Sequence, residues 1–328
     1  MSNMFKVIVT IGPSTLNYKM IKEINSSGDC IFRINGSHMD ISDIEKTINV
    51  IKSWPLSLKL MIDLPGNKIR TSGGFKTVRF KKGDTIIFKR EDINFRNFYK
   101  ILSLNDRVFT NDSLNSFLVK NIDYRAQTIT FEAENDGILT KNKGLHPRGK
   151  EYDMPFILDK DREIINIINK YDVDFCALSF VRSMRDIKET SQLIKNGVNI
   201  IAKIEKKVAI DNLNEILQAV DNILIDRGDL SNDVGILNLP FYQSFIINKA
   251  KKENKRVFLA TQFLKSMTYK RVPLIAEIMG LYNDISLGIT GIQLSEETAV
   301  GNYPKECIDV IFAMYRNLSR QKERIEVK

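Results

Sequence analysis

The chain has 328 residues, 43% hydrophobic and 27% charged, the balance of a globular protein with a sizeable core. No apolar run is long enough to span a bilayer, the opening "MSNMFKVIVTIGPS" has no signal-peptide layout, and Cys30, Cys176 and Cys307 are isolated. A membrane protein, a disulfide scaffold and a zinc ribbon are therefore disfavoured, and a cytoplasmic protein is expected. The formal net charge of +9 is spread along the chain; its densest groups ("KRED", "KAKKENKR", "SRQKER") read as solvated faces and give no nucleic-acid interface.

In chain order, the first strand-like run is "KVIVTIGP" (6–13), followed by the helical stretch "LNYKMIKEINSSG". "DCIFRIN" (29–35) and "LKLMIDLPG" (58–66) come next. After an interruption the runs resume with "DFCALSFV" (174–181), "NIIAKIE" (199–205), "NILIDRGD" (222–229), "RVFLATQ" (256–262) and "GIQLSEE" (291–297). Short continuous apolar runs are the mark of parallel strands buried on both faces. Periodic segments such as "MRDIKETSQLIKNG", "NLNEILQAV" and "LPFYQSFIINKAKKENK" lie between them, and "YPKECIDVIFAMYRNLSRQKE" closes the series. Eight strands alternating with helices predict an α/β protein of the (β/α)8 TIM-barrel class, with a doubly wound open sheet as the competitor.

The interruption follows the third strand. "TVRFKKGDTIIFKR", "DRVFTND", "FLVKNIDYRAQTITFEAEND" and "GILTKNKGLHPRG" alternate apolar with polar residues between Gly, Asn and Asp turns. This predicts a small all-β lid domain inserted at residues 72–153, with the barrel formed by 1–71 and 154–328.

Barrels of this class keep their chemistry at the C-terminal strand ends. Those ends are polar here: Arg33, Asn35, Ser37 and His38; Asp63, Lys68 and Arg70; Lys203 and Glu205; Asp226, Arg227 and Asp229; Thr261 and Gln262; Ser295, Glu296 and Glu297. Lys203 and Glu205 stand two apart on one strand, so they share a face, with Ala202 and Ile204 on the other. Converging on one mouth, such residues read as a site for an anion and a metal. Glu205 and Asp229 offer hard carboxylate oxygens suited to Mg²⁺ or Mn²⁺. Gly228 and Asp229 offer backbone N–H groups to a carboxylate, and Thr261 adds a hydroxyl. Arg33 and Arg70 are planar forks fitted to phosphate oxygens, and Lys203 is a point charge able to steady a phosphoryl group or an enolate. Asp226 reads as a structural partner of a neighbouring Arg or Lys, and His146 as a surface residue of the lid.

These segments resemble the pyruvate kinase family in order over about residues 5–315: "VTIGPST", "FRINGSH", "IDLPGNKIRT", "AKIE", "RGDL", "ATQFLKSM" and "LSEETAVGNYP". The resemblance implies phosphoryl transfer between phosphoenolpyruvate and ADP, giving pyruvate and ATP. By it, Lys203 assists transfer and steadies the enolate, Glu205 and Asp229 hold the divalent metal, and Gly228, Asp229 and Thr261 hold the pyruvyl carboxylate. Thr261 also lies on the proton-delivery side, Arg33 contacts the transferring phosphate, and Ser295 borders the substrate. Arg70, His38, Asn35 and Lys143 lie toward the nucleotide, and Asp112 of "TND" matches an acidic turn of the family's lid.

The sequence also departs from the family pattern. Asn35, Ser37 and Asp63 match ligands of the family's monovalent cation, but Leu64 and Lys68 replace the usual Thr and Glu. Members with that pair are generally potassium-independent, so no K⁺ requirement is expected; an ammonium at Lys68 supplies the charge. The family's C-terminal regulatory domain has no counterpart in this sequence. "PLIAEIMGLYND" (273–284) has Ile275 and Gly280 where the family has Arg and Asp near a subunit contact, which leaves a homodimer open. Glu296 and Val300 replace a Gly and a Lys near the nucleotide. An unregulated pyruvate kinase is the leading reading. The alternatives are a related enzyme of a specialised pathway that passes phosphate to, or joins the enolate with, another acceptor, and a non-catalytic phosphoenolpyruvate-binding protein.

Overall fold

The computed structural model describes residues 5–111, 113–150, 152 and 154–326, the side chains from 322 onward excepted. Among the described residues, eight parallel strands close into a barrel: Lys6–Thr10, Asp29–Asn35, Lys59–Leu64, Phe175–Leu178, Asn199–Ile204, Asn222–Asp226, Arg256–Ala260 and Gly291–Leu294. The first strand pairs with the last, Lys6 opposite Gly291 and Val9 opposite Leu294, so the sheet has no open edge and the doubly wound alternative is excluded.

The apolar runs are continuous because both strand faces are buried against different partners. Ile8, Ile31, Met61, Ile201, Leu224 and Phe258 fill the barrel interior. Val7, Val9, Ile62, Ala202, Ile223 and Leu259 pack outward in the main core, with the surrounding helices. In the fifth strand Ile201 faces inward while Ala202 and Ile204 join the outer core. The period of two therefore puts Lys203 and Glu205 on the inner side, above Ile201.

The strands are shorter than the runs that predicted them. The sixth stops at Asp226, and Arg227–Val234 is a helix with Asp226 at its N-cap position. "RGDL" thus forms a first helical turn, which suits an acidic residue such as Asp229 near the positive end of the helix dipole.

Between the third and fourth barrel strands the chain builds a five-stranded sheet. Its order is His146–Pro147, Arg107–Thr110, Asn115–Asp123, Thr128–Ala133, Thr85–Lys89, and a two-stranded ribbon pairs Val78–Phe80 with Gly137–Leu139. This insert has its own core, in which Phe80, Phe88, Phe117 and Phe131 meet edge to face at centroid separations from 5.0 to 6.1 Å. Its neck is short: Arg70 bridges to Gly144 and Thr71 to Ile93. No helix among the described residues is long and apolar enough to cross a membrane.

Barrel closure places Gly291 where a side chain does not fit. A Cβ there would lie 2.4 Å from the Lys6 carbonyl oxygen and 2.9 Å from the Phe258 ring. Gly291→Ala should lose roughly 1–3 kcal/mol of stability through overpacking at the closing seam. Chemical denaturation followed at the single tryptophan, Trp54, checks it; an unchanged midpoint would show that the seam relaxes freely.

Candidate active site

The strand ends converge on one cleft, walled by Arg33, Asn35, Asp63, Lys203, Glu205, Asp226, Asp229, Thr261 and Ser295. Ser37, His38, Lys68 and Arg70 line the same cleft from the loops after the second and third strands. At its centre is the Lys203 ammonium, on a residue only 5% exposed. Its Nζ lies 2.8 Å from Glu205 Oε1, 3.3 Å from Asp226 Oδ2 and 3.8 Å from Asp63 Oδ2, and donates to Ser179 Oγ at 3.4 Å. Burial works against the ammonium, but Glu205, Asp226 and Asp63 outweigh it and hold its pKa well above the ordinary lysine range. Lys203 is a fixed positive charge.

Glu205, Asp226 and Asp229 each offer a carboxylate oxygen, and these atoms lie within 4.8 Å of one another. Burial raises the Glu205 pKa to about 7, against the pull of Lys203 and with the repulsion of Asp229 and Asp226. Its Oε2 accepts the Phe180 N–H at 2.5 Å, whereas Oε1, although close to Lys203, accepts no well-directed hydrogen bond. Asp229 goes the other way: burial opposes its charge, but Lys68, whose Nζ is 2.5 Å from Oδ1, holds its carboxyl well below the usual range. A part-buried cluster of hard oxygens in which Glu205 Oε1 lacks a donor fits a small divalent cation, and among the described residues this trio is the group that offers it.

Arg33 directs Nε and Nη2 to Asp63 Oδ2 at 2.9 and 2.6 Å and Nη1 to Thr10 Oγ1 at 2.8 Å. Three of its donors are thus committed within the barrel, which fixes the plane of the fork. Asp63 Oδ1 is buried without a hydrogen-bond donor. Arg70 reaches Ser37 Oγ and the Asn142 carbonyl, each at 3.4 Å, and Asn35 Oδ1 accepts from the Ser37 N–H. Lys68 therefore ends on Asp229 in the carboxylate cluster.

Thr261 donates its hydroxyl to Asp226 Oδ1 at 2.7 Å. It does so from a backbone φ of +79°, and Gln262 follows at +57°. For a β-branched residue that is an outlier costing on the order of 1–3 kcal/mol, retained only where the surroundings over-determine it.

The insert is folded down onto the cleft. Ser113 Oγ donates to Asn232 Oδ1 at 2.9 Å, and Arg148 Nε to the Asn232 carbonyl at 3.0 Å. His146 Nε2 lies 3.4 Å from Asp229 Oδ1. The expectation of a surface His146 is therefore corrected: its strand folds back over the barrel mouth and points the ring at a carboxylate. Burial first, and then the charge of Lys68, drives its pKa down to about 3, so the ring is neutral.

Asp226 does pair with a lysine, as expected, but that lysine is Lys203, and its carboxylate belongs to the trio and receives Thr261. Gly228 is buried in the first helical turn and lines an adjoining pocket with Thr261 and Gln262; its carbonyl accepts from Ser231 and Asn232. Lys143 is exposed at the neck, with its backbone tied to Thr71, and is not part of the cleft wall. Glu296 lies at the rim, where Lys265 is 3.2 Å away. It shares with Gly12, Pro13, Leu16, Met39 and Val300 an apolar groove that opens beside Arg33 and His38. Asp112 lies outside the described residues. Sequence reasoning missed Ser179 and Phe180; the hydroxyl in "ALSFV", at the end of an otherwise apolar run, was the available signal.

The family model "Pyruvate kinase, barrel domain" matches residues 2–308. Pyruvate kinase of Thermococcus litoralis is 33% identical over 99% of this chain and 71% of its own length. That of Thermotoga maritima is 32% identical over 97% of this chain and 72% of its own length. That of Thermoplasma acidophilum is 32% identical over 92% and 56%.

A metal held by Glu205 requires that carboxyl ionised. With its pKa raised to about 7, apparent Mg²⁺ affinity should rise with pH toward about 7, by up to about tenfold per unit, and level off above it. Calorimetric Mg²⁺ titrations between about pH 5.5 and about pH 8 read this directly. A flat profile would mean that Glu205 is already charged at the acid end.

Proposed function

Since the chain belongs to the pyruvate kinase family, we propose that its cleft transfers a phosphoryl group between phosphoenolpyruvate and ADP, giving pyruvate and ATP. The observation that carries this reading is the buried Lys203 ammonium within reach of Glu205, Asp226 and Asp63, with Thr261 on the far side of Asp226. A fixed cation in a low-dielectric cleft stabilises negative charge developing on a transferring phosphoryl group and on an enolate oxygen. Glu205 and Asp229 would hold Mg²⁺ or Mn²⁺, which when bound supplies Lewis-acid polarisation of substrate oxygens. Arg33, its plane fixed by Asp63, aims at the phosphate. Gly228 and Asp229, through their N–H groups, and Thr261, through its hydroxyl, receive the pyruvyl carboxylate, with Ser295 alongside. Thr261 stands on the side from which the enolate is protonated.

The nucleotide lies along the apolar groove, its phosphates toward Arg70, His38, Asn35 and Lys143. The pairing of Glu296 with Lys265 offsets the added negative charge there, which favours ADP over an unusual acceptor. The 72–153 insert acts as a lid that excludes water during transfer. No K⁺ is required, because Lys68 already places its ammonium in the carboxylate cluster. Asp63 Oδ1, buried without a donor, is the observation that favours the opposite outcome. We place the protein in the cytoplasm.

The deciding experiment is pyruvate release from phosphoenolpyruvate with ADP and Mg²⁺ in a K⁺-free, tetramethylammonium-matched buffer. Wild-type turnover is expected, with Lys203→Met reducing kcat about 100-fold or more. Binding of phosphoenolpyruvate without transfer to ADP would move the acceptor elsewhere, and strong stimulation by K⁺ would assign Asp63 Oδ1 to that ion.

We also propose a homodimer through the helices Leu239–Lys252 and Ile275–Ser286. They expose Phe241, Phe245, Ile275 (83% exposed), Met279 and Tyr282, an apolar surface unusual for a free face. Sedimentation should give a dimer that Ile275→Asp with Met279→Asp converts to monomer; a monomeric wild type removes the proposal.

A further inference from the structure

The strained backbone of Thr261 is held from outside the cleft. Its carbonyl accepts from Arg227 Nε at 3.0 Å and also from Nη2. The other end of the same guanidinium, Nη1, donates to Asp284 Oδ2 at 2.9 Å. Asp284 Oδ1 in turn accepts from Gln243 Nε2 at 2.8 Å. The plane of Arg227 lies over the Phe263 ring, 4.0 Å from its centroid. All of the Arg227 atoms that matter are therefore constrained at once: one edge by a carbonyl, one end by a carboxylate, one face by a ring.

Asp284 has no reason to be there on helix-packing grounds. It is buried at 6% exposure on the inward side of its helix, beside Leu281 and Ile285, where a carboxylate is costly unless paired. The carboxylate stands where it reaches Arg227. We propose that Asp284 is a positioning residue: through Arg227 it fixes the left-handed backbone of Thr261 and so aims the Thr261 hydroxyl into the cleft beside Asp226.

The kinetic consequence rests on the phosphotransferase reading above, whereas the geometric one does not, and the test keeps them apart. Asp284→Asn preserves shape and removes the charge. At saturating phosphoenolpyruvate its kcat should fall at least about tenfold, and KM should rise by less than kcat falls, because Thr261 is one of several groups placed on the substrate while Lys203, Glu205 and Arg33 are untouched. Gln243→Leu leaves the ion pair in place and should shift kcat the same way by less, which serves if the first variant does not fold. Arg227→Lys combined with Asp284→Asn should be no slower than Arg227→Lys alone, since the two act as one unit. In threonine-methyl NMR, the Thr261 resonance, identified by its loss in Thr261→Ser, should move in both single variants, Asp284→Asn and Gln243→Leu. An unmoved resonance in a folded variant, or kcat of folded Asp284→Asn within about twofold of wild type, overturns the clamp. If the wild type releases no pyruvate, the functional reading fails, and the methyl shift alone decides the clamp.

Discussion

Everything at the barrel mouth depends on one buried ammonium. Glu205, Asp226 and Asp63 would repel one another strongly in so dry a place. Lys203 stands among all three at 2.8, 3.3 and 3.8 Å and offsets that repulsion. Burying an unpaired lysine would be equally unfavourable, so the cation and the anions make one another tolerable. The arrangement is still short of balance: Glu205 retains a raised pKa and Asp63 Oδ1 lacks a donor. Lys68 adds a further cation at the other carboxylate of the cleft, Asp229.

The second constraint is backbone strain, and it is arranged around the same carboxylates. Thr261 and Gln262 at the end of the seventh strand, and Phe180 at the end of the fourth, all have positive φ. For two of the three a strong contact holds the distorted peptide: Phe180 N–H on Glu205, Thr261 O on Arg227. Such conformations do not persist through local preference, since neither Phe nor Thr favours them. They persist because the rigid barrel fixes the strand positions and leaves only the final residues to adjust. Gly36 obeys the same geometry: a Cβ there would lie 2.4 Å from the Asp63 carbonyl, so the loop carrying Ser37 and His38 passes directly against the third strand.

How much of this could be read in the sequence follows from the range of the interactions. The barrel was legible because strands buried on both faces spell continuous apolar runs, and the polar residues closing each run marked the functional end. Lys203 and Glu205 were legible because two residues of one strand suffice to put them on the same face. His146 was not, because its burial comes from a strand that folds back across some 80 residues to meet Asp229. The position of Asp284 was equally silent: nothing near it in sequence announces a partner at Arg227, 57 residues away. Strain at Thr261 left no mark at all, since positive φ is advertised by Gly or Asn and not by Thr. The expected strand ends ran long for a related reason, because "NILIDRGD" stays compatible with extension until Asp226 takes the N-cap position of a helix.

That helix, Arg227–Val234, ties the three parts together. Its N-cap residue is Asp226, which receives Thr261; its first residue is Arg227, which holds the Thr261 carbonyl; its third is Asp229, bound by Lys68 and facing His146. One turn further, Asn232 accepts from both Ser113 and Arg148 of the insert. Eight residues thus connect the carboxylate cluster, the strained strand end and the insert, and they do so within one rigid hydrogen-bonded unit. Moving the insert away must break the contacts to Asn232 and His146, and with them part of the electrostatic environment of Asp229. A carboxylate on a loop would feel such a change weakly and variably. On the first turn of a helix whose second turn carries the insert, it feels the change directly, so the state of the cleft and the position of the insert cannot be set independently.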